Sequence, residues 1–369
     1  MRTRRPPILA MALTLLVAGV APAQAQSLPN ETVTSPTLTN PQKDAIRDFV
    51  RANQDALLSE DDLECQTARK RLSEPLGRNA VSLAFRREYS GLLMPTIQAG
   101  TKSADDHVAV NCLLLAGRLA TPEAADHIER ALADPRVPVR YASVNSVTLL
   151  LDQVNVNSPA IPEARVIDMM RRLGDVIRDD SNELVFDAGV RALIAGMTQS
   201  ALPDVRPVAV SQLATNVAQR IRQSRAKSER QTLVALHRAA DAFRSYLIND
   251  VNNTDTAAAR NAAELSGHVL AFVAERIDAG DFNANPEPEV DQARTAVGQI
   301  LGNCEATIFL VNDGYLKGGR IPAWELATKF EADDENLPRF IEESIIGPTG
   351  KLTEAPFSQW FDDGTFERR

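Results

Sequence analysis

Histidine, cysteine and aromatic side chains are scarce in this chain, and each scarcity removes a class of chemistry. His107, His127, His237 and His268 are the only histidines in 369 residues, and no two stand at the i, i+4 spacing with which one helix face grips a metal. Neither HExxH nor CxxC occurs, and there is no Gly-x-Ser-x-Gly elbow, P-loop or dinucleotide fingerprint. The readily recognised metallopeptidases, hydrolases, nucleotidases and dehydrogenases are therefore not indicated, and no catalytic residue or cofactor is assigned.

With three cysteines, Cys65, Cys112 and Cys304, at most one intramolecular disulfide can form, so this is not a disulfide-stapled scaffold. Cys112 lies at helical spacing with Val108, Leu115 and Leu119, and Cys304 with Val297, Ile300 and Ile308, the setting of small buried hydrophobes. Cys65 and Cys112 stand 47 residues apart, a separation that leaves a bridge between them open. Aromatics make up only 5% of the chain, so aliphatic and small residues carry the packing.

Positive charge is in deficit as well: the formal net charge is −9. Three of the arginines, Arg2, Arg4 and Arg5, head an apolar run from Ile8 to Ala21 that ends at Ala23-Gln24-Ala25, the pattern of an export signal over residues 1–25. The run is shorter than the roughly 20 residues that span a bilayer, which favours a cleaved signal over an anchor. Cleavage leaves 37 basic and 49 acidic side chains, a formal charge of −12. Such a surface does not suit nucleic acid, whose binding rests on releasing counterions to clustered cations. The expected setting is exported, periplasmic or secreted in a bacterium, with no transmembrane segment after signal cleavage.

What is present is helix after helix. Residues 26–40 are polar and rich in Pro and Thr, and read as a flexible leader. Asn40-Pro41 then opens a domain over residues 41–313 in which apolar residues recur every three to four positions, as in Val210, Leu213, Val217 and Ile221, or Leu233, Leu236, Ala240, Phe243 and Leu247. The turns between them predict six hairpins: 41–58 with 60–73, 79–98 with 104–119, 122–133 with 137–152, 161–178 with 181–197, 204–224 with 228–250, and 256–279 with 287–313. Asn312-Asp313-Gly314 stops the last helix and offers a glycine for a left-handed cap.

Turns containing Asp precede apolar helices at Asp61-Asp62, Asp105-Asp106, Asp134-Pro135 and Asp179-Asp180, with spacings of about 44, 29 and 45 residues. The stretches ADPRVPVRYASVNSVTLL and RDDSNELVFDAGVRALIA also share Asp, then Val139 or Val185, Ala142 or Ala188, and Val147 or Leu193. This pattern resembles a HEAT/armadillo-like repeat over about residues 104–197. The resemblance implies an all-α fold, an α-solenoid of stacked antiparallel helix pairs in which each hairpin hides its apolar face on the next. The acidic or hydroxyl residue of each turn is expected to cap the helix that follows.

Eight of the 18 aromatic residues fall within residues 314–369, which glycines and prolines interrupt. This irregular aromatic-rich segment is expected to cap the end of the array, or to offer Trp324 and Trp360 to a partner. Two further stretches draw notice. Asp281, Asn283, Asn285 and Glu287 alternate like calcium-loop ligands, although Pro286 stands where such a loop needs glycine, and a polar inter-helix loop is the competing reading. Arg220, Arg222 and Arg225 cluster at a helix junction, a pattern that suits an anionic polymer, phosphate head groups or an acidic protein, with a solvated helix end whose dipole the cations complement as the competing reading. His268, on the apolar side of its helix, is expected to be a hydrogen-bonded structural histidine. The functional expectation is an exported, non-enzymatic scaffold or protein-binding module whose helical-repeat surface engages another protein or a cell-envelope component. The alternative is an envelope enzyme or enzyme subunit with dispersed acidic residues, such as Asp105-Asp106 or Asp179-Asp180, in a helical groove.

Overall fold

The computed structural model describes residues 27–157, 159–223, 229–249, 255–282 and 288–367, with residues 288–290 as backbone only. The export segment at 1–25 lies outside them, as do Arg225, Asn283, Asn285 and Glu287. All regular structure among the described residues is helical. A short α1 (Asn30–Thr34) precedes α2 (Asn40–Leu57), α3 (Asp62–Ser73), α4 (Leu83–Thr101), α5 (Asp106–Leu119), α6 (Pro122–Ala131) and α7 (Val137–Val156). There follow α8 (Glu163–Asp179), α9 (Glu183–Met197), α10 (Val205–Arg222), α11 (Arg230–Asn249), α12 (Thr256–Asp278), α13 (Pro288–Gly314), α14 (Leu326–Glu331) and α15 (Leu337–Ile341).

Local chemistry accounts for where these helices start. Thr39 and Gln42 form a capping box at α2, Asp61 accepts from the Glu64 amide at α3, and Asp105 accepts from the amides of His107 and Val108 at α5. Asn182 and Asp255 do the same for α9 and α12. The expected flexible leader is in part ordered: α1 lies within it, Leu28 and Val33 are buried, and the Val33 carbonyl accepts from the Ser82 amide. Apolar contact outweighs the polar composition there. At the end of α13 the left-handed residue is Lys317, not Gly314, because the chain continues one turn further before it reverses.

Helices two apart in the chain are packing neighbours, in two series. One runs α3, α5, α7, α9, α11, α13, and the other α2, α4, α6, α8, α10, α12. This is consistent with a helical repeat. Buried apolar side chains form one cluster from Leu28 to Phe366. The α5–α7 approach is close enough that a β-carbon on Gly117 would stand 2.5 Å from the Ser146 carbonyl oxygen, so only glycine fits.

The Asp turns do more than cap. Asp134 makes no side-chain cap at α7; it accepts from the Arg136 amide and Nε, both at 2.9 Å, and Arg136 Nη1 reaches back to the Ser103 carbonyl at 2.8 Å and Asp106 at 3.2 Å. Arg140 reaches forward, donating from Nε to Asp180 at 2.6 Å and from Nη1 to the Asp134 carbonyl at 2.9 Å. Successive turns are thus tied by arginine. Two further arginines are buried outright: Arg86 donates to the Arg118 and Leu119 carbonyls at the end of α5, and Arg220 to the Ile177 and Asp180 carbonyls at the end of α8. Helix C-termini leave carbonyls unpaired, and a guanidinium satisfies several at once.

Residues 314–367 fold back on the last helices, α14 on α13 and α15 on α12. The Glu305 carboxylate of α13 accepts from the amides of Trp324, Glu325 and Leu326 and so starts α14 from outside its own sequence. No aromatic residue of this segment is exposed.

Candidate functional site

A cavity of about 730 Å³ lies between α9 and α11. These helices pack side by side, and Asp187 of α9 fixes their register by pairing with Arg238 of α11, whose Nη1 stands 3.2 Å from Asp187 Oδ1. Asp187 also holds Arg191, one turn along its own helix, at 3.2 Å. Arg191 and Arg238 therefore lie together at one end of the cavity. Ile194 and Ala242 line its middle, and Met197 and Tyr246 its far end, where Arg206 donates to the Met197 carbonyl at 3.2 Å and sits 5.7 Å from the Tyr246 ring centre. From Arg191 to Thr198 the wall runs about 10 Å, and from Arg238 to Asn249 about 16 Å, at the α-helical rise. A second cavity of about 450 Å³ shares Arg206 and Tyr246 as its wall.

The electrostatics run against the acidic chain. Arg191, Arg206 and Arg238 line the large cavity with one carboxylate, Asp241, which Arg244 holds at 3.1 Å. Burial depresses the His237 pKa below its ordinary value; Asp241 opposes the shift and Arg238 adds to it. Asn303 Nδ2 stands 3.4 Å from His237 Nδ1. A cavity of this size, partly apolar, with a few fixed polar groups, is the usual form of a ligand site.

The residues singled out from sequence are placed elsewhere. Arg220 is a correction: it is not a surface cation but is 1% exposed, donating to Glu183 at 2.9 Å and lying 4.3 Å from the Phe186 ring centre. Arg222 is half-buried on α10, and its charge helps depress His268. Trp324 packs inward at 6% exposure, edge-on to Phe309, and Trp360 is half-buried among Phe357 and Phe361. Asp281 faces Arg276 at 3.6 Å. Among the described residues no group of three or more His, Cys, Asp and Glu side chains is placed to hold a metal ion. The paired carboxylates are separately engaged: Asp105 caps α5, Asp106 meets Arg136, Asp179 meets Arg178 and Asp180 meets Arg140.

His268 departs from expectation. It is fully buried, yet neither ring nitrogen has a hydrogen-bond partner among the described residues; Phe366 packs edge-on at 5.1 Å. Cys65, Cys112 and Cys304 are free, buried thiols.

Sequence reading missed Arg191, Arg206, His237, Arg238 and Tyr246 as a group. Only Asp187 and Arg191, four apart on one helix, carried a local signal; Arg238 lies 51 residues from Asp187, a separation that predicts nothing.

No protein-family model matches the chain, and no curated protein matches it. Among solved structures, the crystal structure of an engineered protein aligns over 85% of this chain and 82% of its own, at 14% identity and a TM-score of 0.32. That likeness is too loose to argue from.

Proposed function

We propose that this protein is an exported, non-enzymatic binding module. It is built as an α-solenoid of stacked antiparallel helix pairs similar to HEAT/armadillo arrays, and it engages another protein or a cell-envelope component through the groove between α9 and α11. The groove itself carries this reading: it is long, partly apolar, and lined by three arginines against one carboxylate in a chain that is acidic overall. The two series of packing neighbours support the array, since each helix touches those two positions before and after it. Among the described residues, the carboxyl groups whose pKa burial raises, Glu129 on α6 and Asp152 on α7, do not line the groove, and this favours binding over acid-base chemistry. Among the described residues no helix is long and apolar enough to cross a membrane.

The test is affinity capture with the mature protein from its native envelope fraction, in parallel with Ala242→Trp, which fills the middle of the groove. A partner recovered by the native protein and lost by the variant supports the reading. Recovery of nothing, together with turnover of a small molecule, reverses it in favour of an enzyme.

A further inference from the structure

We infer that the groove takes an extended peptide segment of its partner, with an acidic side chain docked on Arg191 and Arg238 and an aliphatic side chain two positions away lying toward Ile194 and Met197. This rests on the groove being the binding site and adds the chemistry of what it binds.

The guanidinium pair is the first ground. Asp187 is 10% exposed and holds both arginines, while their side chains remain 37% and 39% exposed and line the cavity. One carboxylate thus positions two cations, leaving the pair one positive charge in excess. Each guanidinium has five N–H donors. Arg191 directs one to Asp187 and another to Tyr141 Oη at 3.5 Å, and Arg238 directs one to Asp187. The remaining donors suit a second carboxylate, which planar guanidinium groups bind in a bidentate manner.

Spacing is the second ground. Ile194 lies about 4.5 Å and Met197 about 9 Å along α9 from Arg191, at 1.5 Å per residue. In an extended strand, side chains on one face recur about 6.6 Å apart, so an aliphatic residue two positions from the acid falls between these points. Asp241, beside Ala242, disfavours the acid in the middle of the groove and so places it at the Arg191 end. Ser245 and Asn249 supply hydrogen-bonding groups along the α11 wall for backbone amides, which a plain alkyl carboxylate does not need.

The experiment is calorimetric titration of the full chain, at low salt, with acetyl-Leu-Ala-Glu-Ala-Leu-amide, its Gln counterpart, and hexanoate. The peptide is symmetric about its acid, so chain direction does not matter. The Glu peptide is expected to bind about tenfold more tightly than the Gln peptide, as fits a charge-assisted contact. Arg238→Gln and, separately, Arg191→Gln are expected to shrink that difference, and Ala242→Trp to abolish binding of both peptides. Equal affinity for the two peptides, no heat from either at millimolar concentration, a Glu preference surviving both arginine variants, or hexanoate binding as well as the peptide each overturns the inference. If both peptides bind equally and Ala242→Trp blocks both, the groove stands and the acid recognition falls. If Ala242→Trp changes nothing for a peptide that binds, the groove reading falls with it.

Discussion

The ring of Phe366 rests on the backbone of Gly267: a β-carbon at position 267 would stand 2.3 Å from Phe366 Cε1. A glycine in the interior of α12 thus makes the seat for an aromatic residue 99 positions later, and the C-terminal segment packs on α12 there.

In a helix free of contacts, Gly→Ala gains about 1 kcal/mol from propensity. Gly267→Ala is expected to lose about 1–3 kcal/mol instead, the usual cost of overpacking, because the new methyl displaces Phe366. Urea denaturation gives the sign. Limited proteolysis of the native variant should show faster cleavage within residues 314–367. A stabilised variant with unchanged proteolysis would mean that Phe366 does not need this seat.

His268, beneath the same ring, is held down to about 3 from an ordinary 6.5, first by burial and then by the Arg222 charge. The unfolded chain binds this proton below 6.5 and the folded one only near 3, so the contribution of neutral His268 is complete above pH 6.5 and is lost as pH falls toward 3. The slope from this group is about 1.4 kcal/mol per pH unit within that window. His268→Leu should reduce the pH dependence of unfolding between pH 6 and 4 by roughly that amount. Identical slopes in the two proteins would remove His268 as the cause.

Arg220 and Glu183 are 1% and 8% exposed, and Thr232 also donates to Glu183. Breaking one side of a buried pair strands the other, so Arg220→Ala is expected to cost about 3–5 kcal/mol by urea denaturation. Replacing both, Arg220→Met with Glu183→Leu, should recover much of the loss. The pair's role is settled by that difference: a double variant no better than the single one would show that the Ile177 and Asp180 carbonyls, not the charge, are what Arg220 serves.

Burial pushes the Cys112 and Cys304 thiols up to about 12 and raises Cys65, so little thiolate forms at neutral pH. Iodoacetamide at pH 8 should leave Cys112 and Cys304 unlabelled in the native protein, while all three thiols react in denaturant without reductant. A single reactive thiol under those conditions would reveal a Cys65–Cys112 bridge.

Much of the fold was legible before any coordinates. Periodicity and turn chemistry located the helices from α2 to α13 within a few residues, because helix caps and amphipathic faces are written over spans of three to twenty positions. Asp105 shows this well, since its two acceptor contacts lie two and three residues away. The same local rules misjudged Asp134, whose partner Arg136 links to Ser103 and Asp106 in the preceding turn. They misjudged Arg220 too, which looked like one cation of an exposed run and is buried against Glu183, 37 residues earlier.

By itself, then, the amino-acid order determined an all-helical chain, the start and stop of its principal helices and the irregular character of its aromatic end, since those follow from hydrogen bonds and apolar spacing within single turns. Tertiary structure alone decided which arginines are buried and which remain at the surface, where Phe366 is seated, and that Arg191 and Arg238 share Asp187 at the mouth of a groove. Those outcomes depend on helices two apart in the chain lying side by side, and a guanidinium's partner across such a contact is set by packing register, which no short stretch of residues encodes.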